Sequence, residues 1–474
     1  MKRTIWRCFV LSCVLGLGLW LGTGAAPGAS RPHYGGVLRV ETRATATDLN
    51  SPVRPLIYEN LIRLDDRGAP QPQLAARWET QNGYRRWQFW LQPGIRFHDD
   101  APLDAAAVVA SLAWQCPDSH PAAAPEEPAL SGAKGPGAPS CEWTALRAAG
   151  ESVVFDFAEP RPRFAQELAQ TRYAIQHPGD NVPPAGTGPY RWSEARGNTR
   201  VLQANEDYWG GRPFADRIEL LPSRNVRDQA ADLALGRADI VEAGPGQLRR
   251  LAKERTAVSL PFTLLAVVVR PAKPALQDVR LREALALAID RAAIHKVVLQ
   301  NSGEVAGGLL PNWLSGYAFL FAQSGDLARA KQLAQELGSA PVLAIAAAGS
   351  DPELQLIGER IALNAHDVGL VVQSVTNPQQ ADLLVTQTDL ASLDPAVALA
   401  ALAESFGERL NGRAASPQQL YEEEHALVSQ GYVIPLAYVP RICALGPRVR
   451  NWTVAPDGRW PLEQVWLAPG EAAP

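Results

Sequence analysis

Roughly halfway along this 474-residue chain the spacing of apolar side chains changes, and that change limits the folds open to it. In the first half, apolar residues alternate with polar ones in GVLRVE (36–41), RRWQFWLQ (85–92), SVVFDFAE (152–159), TRVLQANE (199–206) and DRIELLPS (216–223). Period two turns one face of a strand to the core and the other to solvent, so these segments predict β-strands. Later, DVRLREALALAIDRAAIHKVVLQ (278–300) sets Leu281, Leu285, Ala288, Ile289 and Ala292 on one face of a helix. Helices are also expected over 326–337 and 352–365, and strands over DVGLVVQSV (367–375) and ADLLVTQ (381–387). SPQQLYEEEHALVSQ reads as a helix capped by Ser416 that runs into an apolar strand near 432–439. A β-rich half followed by alternating strands and helices predicts an α/β protein of two or three domains, and no segment repeats.

The N-terminus reads as an export signal. Lys2, Arg3 and Arg7 precede an apolar run from Cys8 to Leu21, and Gly24, Ala25, Ala26, Gly28 and Ala29 follow. The run is short for a membrane span, so cleavage between Ala25 and Ser30 is expected rather than a retained anchor. Removing residues 1–30 takes away three positive charges and no carboxylate, which moves the formal net charge from −4 to −7. A chain that acidic is a poor partner for nucleic acid. Cys116, Cys141 and Cys443 remain, the first two bracketing the Pro/Gly/Ala-rich stretch PDSHPAAAPEEPALSGAKGPGAPS. In an oxidising compartment a Cys116–Cys141 bridge would close that loop, worth about 3 kcal/mol, with unpaired thiols as the alternative. Cys443, in RICALG, reads as a buried thiol.

Candidate chemistry is sparse. LQPGIRFHDDAPLDAAAVVASLAW gathers His98, Asp99, Asp100 and Asp104, yet Pro93-Gly94 reads as a turn, Ile95 and Phe97 as a short strand, and Asp104 as a helix N-cap. Asp99 and Asp100 then belong to a tight turn, where carboxylates bind backbone amides. The seven histidines form no HExxH and no zinc-type Cys/His spacing. YEEEH (421–425) reads as the solvated face of its helix. SGAK (131–134) matches the SxxK of serine acylases but sits in a Gly/Pro-rich loop with no following helix and no KTG. GTGPY (186–190) is too short for a dinucleotide fingerprint and reads as a glycine-bearing chain crossing. The expectation is a non-enzyme with no catalytic residue, no metal site and no cofactor.

Several segments together resemble one family: YGGVLRVE, IYENLIRLDDRGAPQPQLAARWE, YRRWQFWLQPGIRFHDDAPLDAAAVVASL, GTGPYRW, QANEDYWGGRPFADRIEL, ALGRADIVEA, DVRLREALALAIDRAAI and VIPLAYVPRICALGPRVRNW. In that order, from Tyr34 to Trp466, the chain is similar to the family 5 extracellular solute-binding proteins, the oligopeptide and dipeptide receptors of ABC importers. The resemblance implies a periplasmic binding protein-like α/β fold with an extra domain: domain I from 32–48, 186–268 and 432–474, domain II from 49–185, and domain III from 269–431. It implies a periplasmic, monomeric receptor that closes on a peptide or other small solute and delivers it to an inner-membrane ABC permease. Peptide receptors of the family often carry an ammonium-binding aspartate in a GW-x-x-D-x-x-DP segment. Aligned on Asp394-Pro395, the tryptophan position holds Thr388 and the aspartate position Ala391, with Asp389 two residues away as a substitute. Trp313, Tyr317 and Arg270 are further cleft candidates. The lost aspartate also leaves open a non-peptide ligand or a degenerate receptor with a signalling role.

Overall fold

A computed structural model describes residues 31–43, 51–116, 141–177, 183–193, 195, 197–250, 255–338, 341–349, 351–410, 412, 414–456 and 458–469. The signal-like segment 1–30 and the SGAK stretch lie outside the described residues. One mixed sheet of eleven strands dominates. Its order runs Val372–Ser374, Leu343–Ala347, Leu383–Asp389, Arg255–Val269, Val433–Leu445, Ile240–Ala243, Val37–Thr42, Arg217–Pro222, Arg200–Ala204, Tyr190–Trp192, with Glu304–Val305 added beside Val433–Leu445. A separate antiparallel sheet of four strands holds Ala75–Gln81, Arg86–Leu91, Ser152–Asp156 and Ala145–Ala149.

The two longest strands, Arg255–Val269 and Val433–Leu445, pair antiparallel along almost their whole length, from Arg255 opposite Leu445 to Val268 opposite Val433. Their far ends have different neighbours. Residues 442–445 pair with Ile240–Ala243, while residues 263–269 pair with Leu383–Asp389. Between these ends Pro261 faces Pro440, and the register shifts on both sides of Pro261. Proline has no N–H for the ladder, so the pairing is weakest where the sheet changes partners.

Separate apolar cores back each half. Leu281, Leu285, Leu333, Ile357 and Ile361 pack helices onto the strands of the α/β half. Trp87, Phe89, Phe155, Phe164, Val108 and Leu112 fill the four-stranded sheet and its helix Ala105–Gln115. Asp104 caps that helix by accepting from the Ala107 amide at 2.8 Å, and Ser416 caps Pro417–Ser429 by accepting from Gln419 at 3.2 Å.

Two expectations differ from the structure, and one long strand was not expected. The helix expected over 278–300 stops at Ala288 because Asp290 turns its side chain onto the Ala293 amide and starts a new turn, which continues as a π-helix over Ile294–Val298. The strand expected over 367–375 shortens to Val372–Ser374, since Gly369, at φ +88°, ends the preceding helix with its amide on the His366 carbonyl. The Arg255–Val269 strand goes unmarked by alternation because its second half is buried on both faces.

Candidate functional site

The strand pairing sets Thr263 directly opposite Asp389, and the Thr263 hydroxyl donates to Asp389 Oδ1 at 2.5 Å. Arg441 follows Pro440 on the neighbouring strand and reaches the same carboxylate, Nη2 lying 3.0 Å from Asp389 Oδ2. Its Nε lies 3.0 Å from Glu242 Oε1, and Nη1 donates to the Gly458 carbonyl at 2.7 Å. Glu242 also accepts from the Thr42 hydroxyl and the Arg43 amide, each at 2.8 Å. Burial pushes the Asp389 carboxyl above its usual range, opposed by Arg441 and Thr263. One guanidinium thus serves two largely buried carboxylates.

This cluster forms the shared wall of two cavities. The larger, of ≈340 Å³, is lined by Tyr58, Asn60, Arg63, Arg172, Asp389 and Glu404, among others. The smaller, of ≈200 Å³, lies against Arg43, Glu242, Thr263 and Gln387, and both have Asp389 and Arg441 in their walls. The larger volume falls near the low end of small-molecule sites, about 300–1,000 Å³. Ion pairs join the elements around the cavities. Arg172 pairs with Glu404, and Arg163 Nε lies 3.2 Å from Asp394 Oδ2. Elsewhere Arg43 pairs with Asp351 and, at 3.7 Å, with Glu353, whose Oε1 accepts from the Gly246 amide at 2.6 Å.

Of the residues singled out from sequence, Asp389 lines both cavities, and Thr388 and Ala391 line the larger one. The other three do not join them. Arg270 donates to the Pro378 carbonyl at 2.6 Å, and the Trp313 indole donates to the Pro261 carbonyl at 2.9 Å. Tyr317 is buried, its hydroxyl donating to Glu424 Oε2 at 2.8 Å. Glu424 corrects the reading of YEEEH as a wholly solvated face. It is fully buried, and its Oε1 accepts from the amides of Leu309 and, at 2.9 Å, Leu310.

His98 is structural. Its Nδ1 accepts from the Gly186 amide at 3.3 Å, which leaves Nε2–H to donate to the Gly188 carbonyl at 2.9 Å. A side chain at Gly186 or Gly188 would collide with the Ile57 or Leu56 carbonyl, so the GTGPY crossing requires glycine there. Cys116 and Cys141 are bonded, with Cα atoms 5.8 Å apart, and Cys443 is a buried free thiol. Among the described residues, no cluster of three or more His, Cys, Asp or Glu side chains is arranged to hold a metal, and no helix is long and apolar enough to cross a membrane.

Sequence reasoning missed Arg441, Glu242 and Arg63. The signal for Arg441 was there: a single charge inside the otherwise apolar run VIPLAYVPRICAL. A buried arginine needs counter-charges.

The two longest strands of the mixed sheet change partners beside a polar cavity of a size that can hold a small solute. Residues 69–405 match the model of the bacterial extracellular solute-binding proteins, family 5 (middle), and the chain belongs to that family. A probable di/tripeptide-binding protein of Pseudomonas aeruginosa is 24% identical over 474 residues, covering 86% of this chain and 90% of the relative. Among solved structures, the dipeptide-binding protein of Pseudoalteromonas sp. SM9913, in complex with Met-Leu, superposes with a TM-score of 0.77 at 17% identity, over 91% of this chain and 100% of that one. The binding protein AgaA of A. tumefaciens R10, in complex with agropinic acid, gives 0.75 at 16% identity, over 92% and 99%. At such identities the likeness establishes the shared fold. These relatives are binding proteins by name, and none is named as an enzyme.

Proposed function

We propose that this protein captures a short peptide or peptide-like solute in the double cavity and hands it to an inner-membrane ABC permease. The observation that carries this reading is the position of Asp389, in the wall common to both cavities and opposite the single guanidinium of Arg441. With Glu242 on the other side of Arg441, two carboxylates face one cation, and a ligand ammonium would offset the surplus negative charge. Asp389 would then take the role that Ala391 cannot. The family, and the peptide ligands named for its relatives, support this cargo class.

In this reading the lobes are domain I (32–48, 186–268 and 432–474) and domain III (269–431), with 49–185 as the extra domain. Closure bends the long strand pair near Pro261 and Pro440, where the ladder is interrupted. Residues 1–30 direct export to the periplasm, and the receptor works as a monomer. Calorimetric titration of the mature protein with dipeptides and tripeptides, each beside its N-acetyl derivative, is the test. Binding of the free amines with loss on acetylation is the expected result. Acetylated and free peptides binding equally would remove Asp389 from the ammonium role, and no binding by any peptide would overturn the cargo.

A further inference from the structure

If the ammonium of a peptide lies at Asp389, its carboxylate needs a cation elsewhere on the wall. Four arginines line the larger cavity: Arg63, Arg172, Arg441 and Arg459. Arg172 is paired with Glu404, Arg441 with Asp389 and Glu242, and Arg459 is in electrostatic contact with Glu463. Arg63 has no ion pair or side-chain hydrogen bond among the described residues.

Local structure explains why. Ile62–Leu64 is a short strand of alternating burial, so Ile62 and Leu64 turn inward and Arg63 turns out. It pairs with Pro70–Pro72 and sets Arg63 opposite Gln71. Asp65, two residues on in the ribbon, is taken up by its own turn, accepting from the amides of Arg67 and Ala69 at 2.9 Å and from the Gln71 side chain at 3.1 Å. Arg63 also lines a neighbouring cavity of ≈370 Å³ that contains Glu59. Glu59 is saturated there by the Tyr208 hydroxyl at 2.8 Å, the Trp209 indole at 2.9 Å and the Thr187 hydroxyl at 2.8 Å. Asp65 and Glu59 are thus satisfied by other donors, and the Arg63 guanidinium fork is presented unpaired where two cavities meet.

Resting on the peptide reading above, we infer that Arg63 is the carboxylate-recognising residue of the site, so that the ligand lies with its ammonium toward Asp389 and its carboxylate toward Arg63. A planar guanidinium takes a carboxylate through two parallel N–H···O bonds, which favours an acid over its uncharged amide. Arg63 is exposed and unpaired, so replacing it leaves the packed fold intact.

The experiment titrates wild-type protein, R63Q and R63K with a pool of dipeptides and tripeptides and with the matching C-terminal amides. Wild type should prefer the free acids by roughly tenfold or more, the scale of one charge-assisted hydrogen bond. R63Q should bind acid and amide alike at an unchanged melting temperature, and R63K should recover part of the preference. Equal binding of acids and amides by wild type would overturn the inference, as would R63Q retaining the full preference, and both results would leave the peptide receptor standing. Wild type that binds neither acids nor amides would overturn the inference and the peptide reading together.

Discussion

Arg441 Nη2 lies 3.0 Å from Asp389 Oδ2, although 52 residues separate them in the chain. The contact spans two strands of the central sheet, next to the Pro261–Pro440 pair where its ladder is interrupted. Any bending of the long strands therefore moves the walls of the cavity. Replacing Arg441 with glutamine would strand Asp389 and Glu242 without their counter-charge, at about 3–5 kcal/mol of stability. Chemical denaturation measures that loss directly. D389N should cost less, because Arg441 keeps Glu242, but should abolish the preference for a free over an acetylated amine.

Glu424 predicts a pH dependence. Burial pushes its carboxyl from 4.5 up to about 7, opposed by the Leu310 and Leu309 amides and the Tyr317 hydroxyl. A raised folded value means that the fold binds this proton more tightly than the unfolded chain does. Its contribution is complete below about pH 4.5 and is lost as pH rises toward 7. E424Q can still accept from both amides and donate to Tyr317, so its melting temperature relative to wild type should climb across that window. A constant difference between the two proteins would show that Glu424 does not titrate there.

The Cys116–Cys141 bond ties the end of the Ala105–Gln115 helix to the segment leading into Ala145–Ala149, and both sulfurs lie in the same apolar core. A bridge across 25 residues should contribute about 3 kcal/mol by restricting the unfolded chain. Denaturation of C116S, or of wild type with reductant, should show this loss, whereas ligand affinity measured below the transition should not change.

Arg43, with Asp351 and Glu353, ties the strand Val37–Thr42 to the start of the helix Pro352–Asp367. If the protein closes on its ligand, this contact forms on closing. R43A should then weaken ligand affinity several-fold while changing unfolding stability by about 1 kcal/mol or less, since partly solvated pairs contribute little to folding. Salt at 1 M should weaken wild-type binding and have less effect on the variant, because screening acts on the same pair. Equal salt sensitivity in both proteins would place the closing contact elsewhere.

Features that depend on neighbours in the chain were readable from the sequence. The switch from period two to period 3.6, the caps at Asp104 and Ser416 and the PGIRFHDD turn each follow from residues a few positions apart, whereas the need for glycine at Gly186 and Gly188 comes from the distant Ile57 and Leu56 carbonyls. The physics of the former is local: an alternating strand must bury one face, and a cap must satisfy the first amides of its helix. The order of segments also carried the family. Tertiary structure alone decided which charges meet. Glu424 looks like its neighbours Glu422 and Glu423, but the chain near Leu309 folds over it and offers two amides and the Tyr317 hydroxyl. Tyr317 and Trp313 are spent on packing and on hydrogen bonds to distant partners. Asp389, Arg441 and Glu242 come from three strands and converge only through sheet register, which no single segment encodes.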